Sequence, residues 1–317
     1  MLFYKKTINI FFIVIFLFFG CKQETDMYNV KDAGKIIKIN PKKAKEEIKL
    51  SKFVDSIKYI KLQTDSSCVL GRKPLFFSIK EKYIYVSDGS QHTIFLFNKK
   101  GKYITKLNKY GNGPKEYHTA WRFRVDKNEE YIEIIDLKKQ ELFKYSNISF
   151  NLFEKRKIPE INANTYIKKD SIYYFSTHQL NNKINNNPTN ASIIIVKNGE
   201  IINTLFDKNI SNQINFFFYP FGKSFIKNEK NEIFVSIKWD NTFYKLHNMN
   251  AHPVYTVDFG RYNYNNAIGK ESMKKQKTYV KNTTNLASFP VLNINNTNIM
   301  GFSYYFKQKV KSDIDTR

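Results

Sequence analysis

Four times along the chain the same order of short β-forming runs comes round, and this repetition restricts the fold more than any other feature of the sequence. The first set is LFFSI (75–79), YIYVSD (83–88), TIFLFN (93–98) and KYITKL (102–107), with the turn-forming GSQH and KKGK between them. The second is WRFRV (121–125), YIEIID (131–136), ELFKYS (141–146) and NLFEKRKI (151–158). The third is NTYIKK (164–169), SIYYFS (171–176), ASIIIV (191–196) and GEIINTLF (199–206). The fourth is GKSFIK (222–227), EIFVSI (232–237), NTFYKL (241–246) and PVYTVDFG (253–260). The second runs start at Tyr83, Tyr131, Ile172 and Glu232, intervals of 48, 41 and 60 residues, with insertions such as the Asn-rich NNKINNNPTN (181–190) loosening the period.

A four-stranded unit recurring every ~40–50 residues marks the blade of a β-propeller. A sandwich carries no requirement for a repeated strand order. The expected fold is all-β: a propeller of four-stranded antiparallel blades over residues 51–317, with four full blades and FPVLNI and IMGFSYYF (289–306) opening a fifth. The 28 Phe and 21 Tyr supply both the β-forming tendency and the core such a fold needs. The one helix-like stretch, NAIGKESMKKQKTYVKN (266–282), is expected as an excursion between blades.

The N-terminus reads as an address. MLFYKKTINIFFIVIFLFFGC (1–21) places Lys5 and Lys6 before an apolar run from Ile8 to Phe19, then Gly20-Cys21. That run is shorter than the roughly 20 residues a membrane-spanning helix requires, and fits a signal peptide. The small residue before Cys21 resembles the bacterial lipobox, in which the cysteine thiol receives the lipid. Phe18 and Phe19 depart from that pattern, which has Leu and a small residue there. With Cys21 lipidated, Cys68 stands alone and no intramolecular disulfide forms. Residues 22–50, opening KQETDMYNVKDAGK, read as a polar tether, with Glu24 and Asp26 just behind the cysteine. The expected location is the cell envelope, anchored by lipid in the outer membrane.

A formal charge of +24 raises the question of nucleic acid, but only six of the 52 basic residues are Arg. Planar phosphate clamps and guanine readout favour Arg, and the lysines here are scattered along the chain. Nucleic acid is therefore not an expected partner; weak attraction to anionic surfaces is.

LNKYGNGPKEYHTAW (107–121) concentrates Gly111, Gly113 and Pro114 in four positions. A dinucleotide fingerprint would need Gly at 116, where Glu116 stands, and a P-loop would need Gly-Lys-Ser/Thr. Pro114 also removes a backbone donor from any anion nest. The segment joins the last strand of one unit to the first of the next and is read as a corner. Gly111, Gly113, Pro114, Glu116 and Tyr117, following FNKKGKYI, resemble the six-bladed β-propeller lipoproteins of Bacteroidetes and, more distantly, NHL-repeat propellers. FVDSIKYIKLQT (53–64) matches that family's opening strand, and SIKYIKL (56–62) a ring-closing one. Lys115 replaces a Gly frequent in the family corner. The resemblance implies six blades, on the order of 60 further residues past Arg317, so the chain is expected to be a C-terminally truncated ring with an open sheet edge or, as the alternative, a ring closed with fewer blades. It also suggests an accessory role beside an outer-membrane uptake protein.

Chemistry is sparsely signalled. His92, His118, His178, His247 and His252 lack metal-ligand spacing, and no Gly-x-Ser-x-Gly elbow occurs. Asp88, Asp136 and Asp240 follow second strands at equivalent positions, where they either start turns or gather axially around calcium, as in lactonase-type propellers. NFFFYPFG (215–222) reads as core or as a platform for carbohydrate or peptide, and Asp55-Ser56-Ile57 and Asp170-Ser171-Ile172 as turns or as O-glycosylation signals. Two functions follow. The first is a scaffold binding a peptide, glycan or partner protein, needing no cofactor. The second is a calcium-dependent hydrolase or lyase of the lactonase or NHL type.

Overall fold

Strand formation follows the β-branched and aromatic runs, and pairing follows their alternation. The computed structural model describes residues 34–40, 43, 49, 51, 55–71, 75–120, 123–163, 165–177, 182–207, 225–228, 230–237, 241–263, 275, 285–288 and 303–306. Cys21 and the signal and lipobox readings, NFFFYPFG, His178, Asp240 and nearly all of 266–282 lie outside the described residues.

β1 (Lys35–Lys38) comes first. Blade 1 then consists of β2 (Leu75–Ile79), β3 (Tyr83–Asp88), β4 (Thr93–Asn98) and β5 (Tyr103–Leu107), paired in that order. Blade 2 is β6 (Phe123–Val125), β7 (Tyr131–Asp136), β8 (Glu141–Ser146) and β9 (Leu152–Lys157). Blade 3 is β10 (Thr165–Lys169) and β11 (Ile172–Ser176), then, past a small hairpin β12 (Asn182–Ile184) and β13 (Asn187–Thr189) built from the Asn-rich insertion, β14 (Ala191–Lys197) and β15 (Glu200–Asp207). Blade 4 is β16 (Phe225–Lys227), β17 (Ile233–Ser236), β18 (Thr242–His247) and β19 (Asn250–Asp258). All pairs within the four blades are antiparallel, and the blades are arranged as a propeller. No helix among the described residues is long and apolar enough to cross a membrane.

Tight turns hold each blade in register. Between β4 and β5, Asn98 Oδ1 accepts the N–H groups of Lys100 and Lys102, and Gly101 takes φ +83. A side chain at Gly101 would also meet the Lys61 carbonyl oxygen at 2.0 Å. The β14–β15 turn uses Asn198 and Gly199, both at positive φ, as a two-residue hairpin requires.

The core lies between blades. Tyr85, Ile94 and Leu96 of blade 1 meet Ile132, Ile134, Phe143 and Tyr145 of blade 2. Ile135 and Leu142 on the opposite face of blade 2 meet Tyr173, Phe175 and Ile194 of blade 3. Tyr174, Ile193 and Ile195 on the other face of blade 3 meet Val235, Tyr244 and Leu246 of blade 4. The two end faces form separate clusters: Ile84, Val86, Phe95 and Phe97 of blade 1 with Ile60, Leu62, Cys68 and Leu70, and Phe243 and Val257 of blade 4 with Ile39, Phe259 and Tyr262. Phe77 and Ile79 on the blade 1 end face are 55% and 63% exposed.

Two sequence expectations change. Residues 56–62 form no strand; the segment runs along blade 1 through Gln63 N–H to Gly101 O (2.8 Å) and Tyr103 N–H to Gln63 Oε1 (3.1 Å), packing Ile60 and Leu62 on the end face. Lys35–Lys38, inside the stretch read as tether, adds to the outer edge of blade 4 as a parallel strand, Lys35 opposite Tyr255 and Lys38 opposite Asp258. Past blade 4, β20 (Asn285–Ser288) pairs antiparallel with β21 (Ser303–Phe306), the latter inside IMGFSYYF, while FPVLNI lies outside the described residues. β20 lies against the short 3-10 turn Gly260–Tyr262 at the end of blade 4.

Candidate functional site

Of the three carboxylates considered for calcium, Asp88 and Asp136 are engaged in holding the entry loops of their own blades. Asp88 closes β3, is fully buried, and accepts hydrogen bonds from Gly71 N–H (2.5 Å), Ser90 N–H (2.8 Å), Gln91 N–H (3.2 Å), Ser90 Oγ (2.5 Å) and Gln91 Nε2 (2.7 Å). Burial alone would raise its pKa; the donors from Ser90, Gly71 and Gln91 hold it below the usual aspartate value. Asp136 closes β7 in the same manner, accepting His118 N–H (2.5 Å), Lys138 N–H (2.9 Å) and Lys139 N–H (3.1 Å). In both blades one carboxylate staples the incoming loop to the turn between second and third strands. Among the described residues no group of three or more His, Cys, Asp and Glu is disposed to hold a metal ion.

The glycine-proline segment is a corner, and Glu116 explains its glycines. The Glu116 carboxylate folds back to accept Gly113 N–H (2.7 Å), and a Cβ at Gly111 or Gly113 would meet Glu116 Oε2 at 2.1 or 2.9 Å. Gly111 N–H donates to Tyr117 O (3.0 Å), and Tyr117 N–H to Lys109 O (2.9 Å). The fully buried Tyr117 donates its hydroxyl toward His92 O (3.0 Å) and Leu107 O (3.1 Å) in blade 1. From blade 2, Lys139 Nζ donates to Gly113 O (3.2 Å) and Glu116 O (2.7 Å), and Tyr145 Oη to Lys115 O (3.0 Å). His92 and His118, which lacked metal spacing, flank Tyr110 instead, one stacked at 4.3 Å and the other edge-on at 6.5 Å.

A different constellation lies on the first and second strands of blades 2 and 3, and sequence reading missed it. Glu133 of β7 is fully buried between blades 2 and 3. It accepts Arg124 Nε (3.0 Å), Arg124 Nη2 (3.3 Å) and Tyr173 Oη (2.9 Å), and lies 3.7 Å from Lys168 Nζ. Burial works to raise its pKa, but the hydrogen bond and charge of Arg124, with Lys168 and Tyr173, bring it below the usual value. Lys168 sits over the Tyr173 ring at 5.1 Å; burial and the charges of Arg124, Lys144 and Arg156 lower its pKa against the pull of Glu133.

Register extends this cluster round the axis. Lys168 stands opposite Tyr173 and Lys227 opposite Ile233, matching rungs of successive first strands. Lys80 and Lys169 occupy the next rung of their own blades, where blade 2 has Asp126. Three of these charges reach Lys227: desolvation and the charges of Arg124, Lys80 and Lys169 lower its pKa, with Asp170 opposing. Charges from the first strands of all four blades thus converge, as strands lining a propeller axis do. Each lysine is unremarkable in its local sequence; only alignment of the first strands on their second-strand partners would have exposed the series.

The sequence profile of the domain of unknown function DUF4934 matches residues 34–315, nearly the whole chain. This chain belongs to the DUF4934 family. Among solved structures, the DUF4934 chain is similar to an inferred exported protein of Bacteroides fragilis, at 19% identity and a TM-score of 0.57, with 71% of this chain and 60% of that one covered. The chain therefore spans about three fifths of that relative, and the likeness is one of fold. A DUF4221 family member from Bacteroides vulgatus matches at 15% identity over 63% of this chain and 62% of that one, with a TM-score of 0.46. No protein of curated function matches the DUF4934 chain in sequence.

Two measurements check this geometry. Tyr117→Phe removes the hydroxyl bridging two buried carbonyls and is expected to lower the unfolding free energy by about 1–2 kcal/mol with the circular dichroism spectrum retained. Glu133→Gln leaves Arg124 and Lys168 facing each other without a counter-charge, an expected loss of about 3–5 kcal/mol. Because folding depresses the Glu133 pKa, its stabilisation is fully present above the ordinary glutamate value of 4.5 and is lost as pH falls through the lowered value. Denaturant midpoints from pH 7 to pH 3 should accordingly fall less steeply for Glu133→Gln than for the parent.

Proposed function

We propose that this chain is an exported, lipid-anchored binding propeller, a scaffold that holds a peptide, glycan or partner protein rather than transforming a substrate. The observation that carries the reading is the commitment of Asp88 and Asp136: their oxygens are filled by loop N–H groups that a metal would have to displace. Carboxylates spent in this way serve the frame, and function on such a frame falls to residues its loops and axis present. The Met1–Cys21 pattern supports export and lipidation at Cys21, and a protein of the same fold from Bacteroides fragilis is itself inferred to be exported. Two or three acyl chains, at ~0.8 kcal/mol per buried methylene, anchor a domain firmly. On this reading residues before Gly34 connect the propeller to the outer membrane, and β20 with β21 begin a fifth blade of a six-bladed ring.

Calorimetric titration with Ca²⁺ separates this proposal from a lactonase-type hydrolase. No stoichiometric binding is expected; tight binding abolished by Asp88→Ala would replace the scaffold by the metal-dependent enzyme. Anchoring is tested apart from binding. The parent chain should fractionate with membranes and incorporate labelled palmitate, and Cys21→Ala should do neither; equal labelling of Cys21→Ala would refute lipidation at that residue.

A further inference from the structure

Among the described residues the axial cations outnumber the carboxylates that pair with them. Lys80, Arg124, Lys168, Lys169 and Lys227 come from the first strands of four blades or the residue directly after one. Glu133 and Asp170 act on them, and Asp126 directly follows the first strand of blade 2. Glu133 is taken up by Arg124, Lys168 and Tyr173, and Asp126 accepts Asn128 N–H (2.9 Å). Asp170 acts on Lys227 only at a distance. Among the described residues Lys80, Lys169 and Lys227 have no carboxylate within 4.0 Å.

Such an arrangement works against the fold when bare. Like charges held together by the sheet register repel, and partial burial keeps water from screening them fully. Lys80, Lys168 and Lys169 are half-buried while Lys227 is exposed, which leaves the cluster open to solvent on one side. Arg124 is pinned by Glu133 and Tyr131 (Nη2 to Oη 3.2 Å), so one planar guanidinium is pre-set among the ammonium groups.

We infer that this axial cluster is a binding site for a multivalent oxyanion, a small ligand carrying phosphate, sulfate or clustered carboxylate groups. The inference deepens the binding reading above and rests on it. The ligand class follows from shape as well as sign: the cations meet at adjoining rungs around one axis, which suits a compact anion, whereas a nucleic-acid strand needs a stripe of contacts along a surface. The shared chemistry has two natural sources, free phosphates and acidic glycans, and the probes below distinguish them.

The test uses the purified chain at fixed ionic strength with pyrophosphate, a polysulfated disaccharide and citrate as separate probes, followed by calorimetry and thermal melting against a chloride control. At least one probe should bind stoichiometrically and raise the melting temperature; preference for pyrophosphate assigns a phosphate ligand, and for the disaccharide a glycan. Lys227→Met and Lys169→Gln should each weaken that probe about tenfold, the loss of one charge-assisted contact. Lys100→Ala, which removes an equal charge from the exposed outer turn of blade 1, should leave affinity unchanged. Without anion, Lys227→Met should melt higher than the parent because repulsion is relieved. Should Lys227→Met not fold, Lys169→Gln and Lys80→Gln carry the same comparison. Absence of binding by all three probes, or equal weakening by Lys100→Ala, overturns the inference. Either result leaves the calcium and palmitate experiments free to decide the scaffold reading separately.

Discussion

Burial of blade faces against the neighbouring blade is the constraint from which the rest follows. Along β7, Ile132 and Ile134 turn to blade 1 while Glu133 and Ile135 turn to blade 3. A four-stranded antiparallel sheet cannot cover both faces with its own side chains, so each blade needs a neighbour on either side. Each fully buried Ile or Phe contributes roughly 1.5–3 kcal/mol, and the interfaces collect such residues in succession from blade 1 to blade 4. The same rule explains why the end faces recruit flanking chain. Cys68 and Leu70 cover blade 1, and Ile39, Phe259 and Tyr262 cover blade 4. The outer edge of blade 4 is also paired, since β1 satisfies hydrogen-bonding groups that β19 would otherwise present to solvent.

Polar groups enter this frame where the blades must be positioned as well as packed. The Asp88 and Asp136 staples tie the entry loops of blades 1 and 2 to the turns after their second strands, and the Glu116 fold-back shapes the corner between those blades. Glu133 does the equivalent at depth, tying the first strands of blades 2 and 3 through Arg124 and Lys168. A buried ion pair of this kind contributes little net stability, because desolvation offsets the attraction, but removing one partner is costly. Its effect is to fix Arg124 and Lys168 in place. The DUF4934 frame thereby separates its tasks: apolar faces hold blades together, aspartates turn corners, and the first strands present charge.

Much of this was legible in the sequence because its cause is local. β3, β4, β7 and β8 begin and end where the β-forming runs do, and the order of runs repeats. Asp88 and Asp136 were readable as turn-starters from position alone. Pairing across long separations was less visible. Lys35–Lys38 is a four-residue strand whose parallel partner starts at Tyr255, and nothing in KIIK distinguishes it from a tether. SIKYIKL alternates like a strand, yet Gln63 beside it bonds the β4–β5 turn and the start of β5 rather than joining a ladder. The axial lysines were hidden for a third reason. Their significance depends on a shared rung, and register is fixed only when second strands are paired with first strands. Scattered lysine in the sequence became concentrated lysine at the axis.

Native-state hydrogen exchange tests the packing of successive blades most directly, because it reports which strands open together. If both faces of each blade are buried against neighbours, amides of the middle strands β3, β7, β11 and β14 exchange slowest and lose protection in one cooperative step, while the outer strands β5 and β9 exchange earlier. Independent opening of single blades, or outer strands that outlast the middle ones, would contradict it.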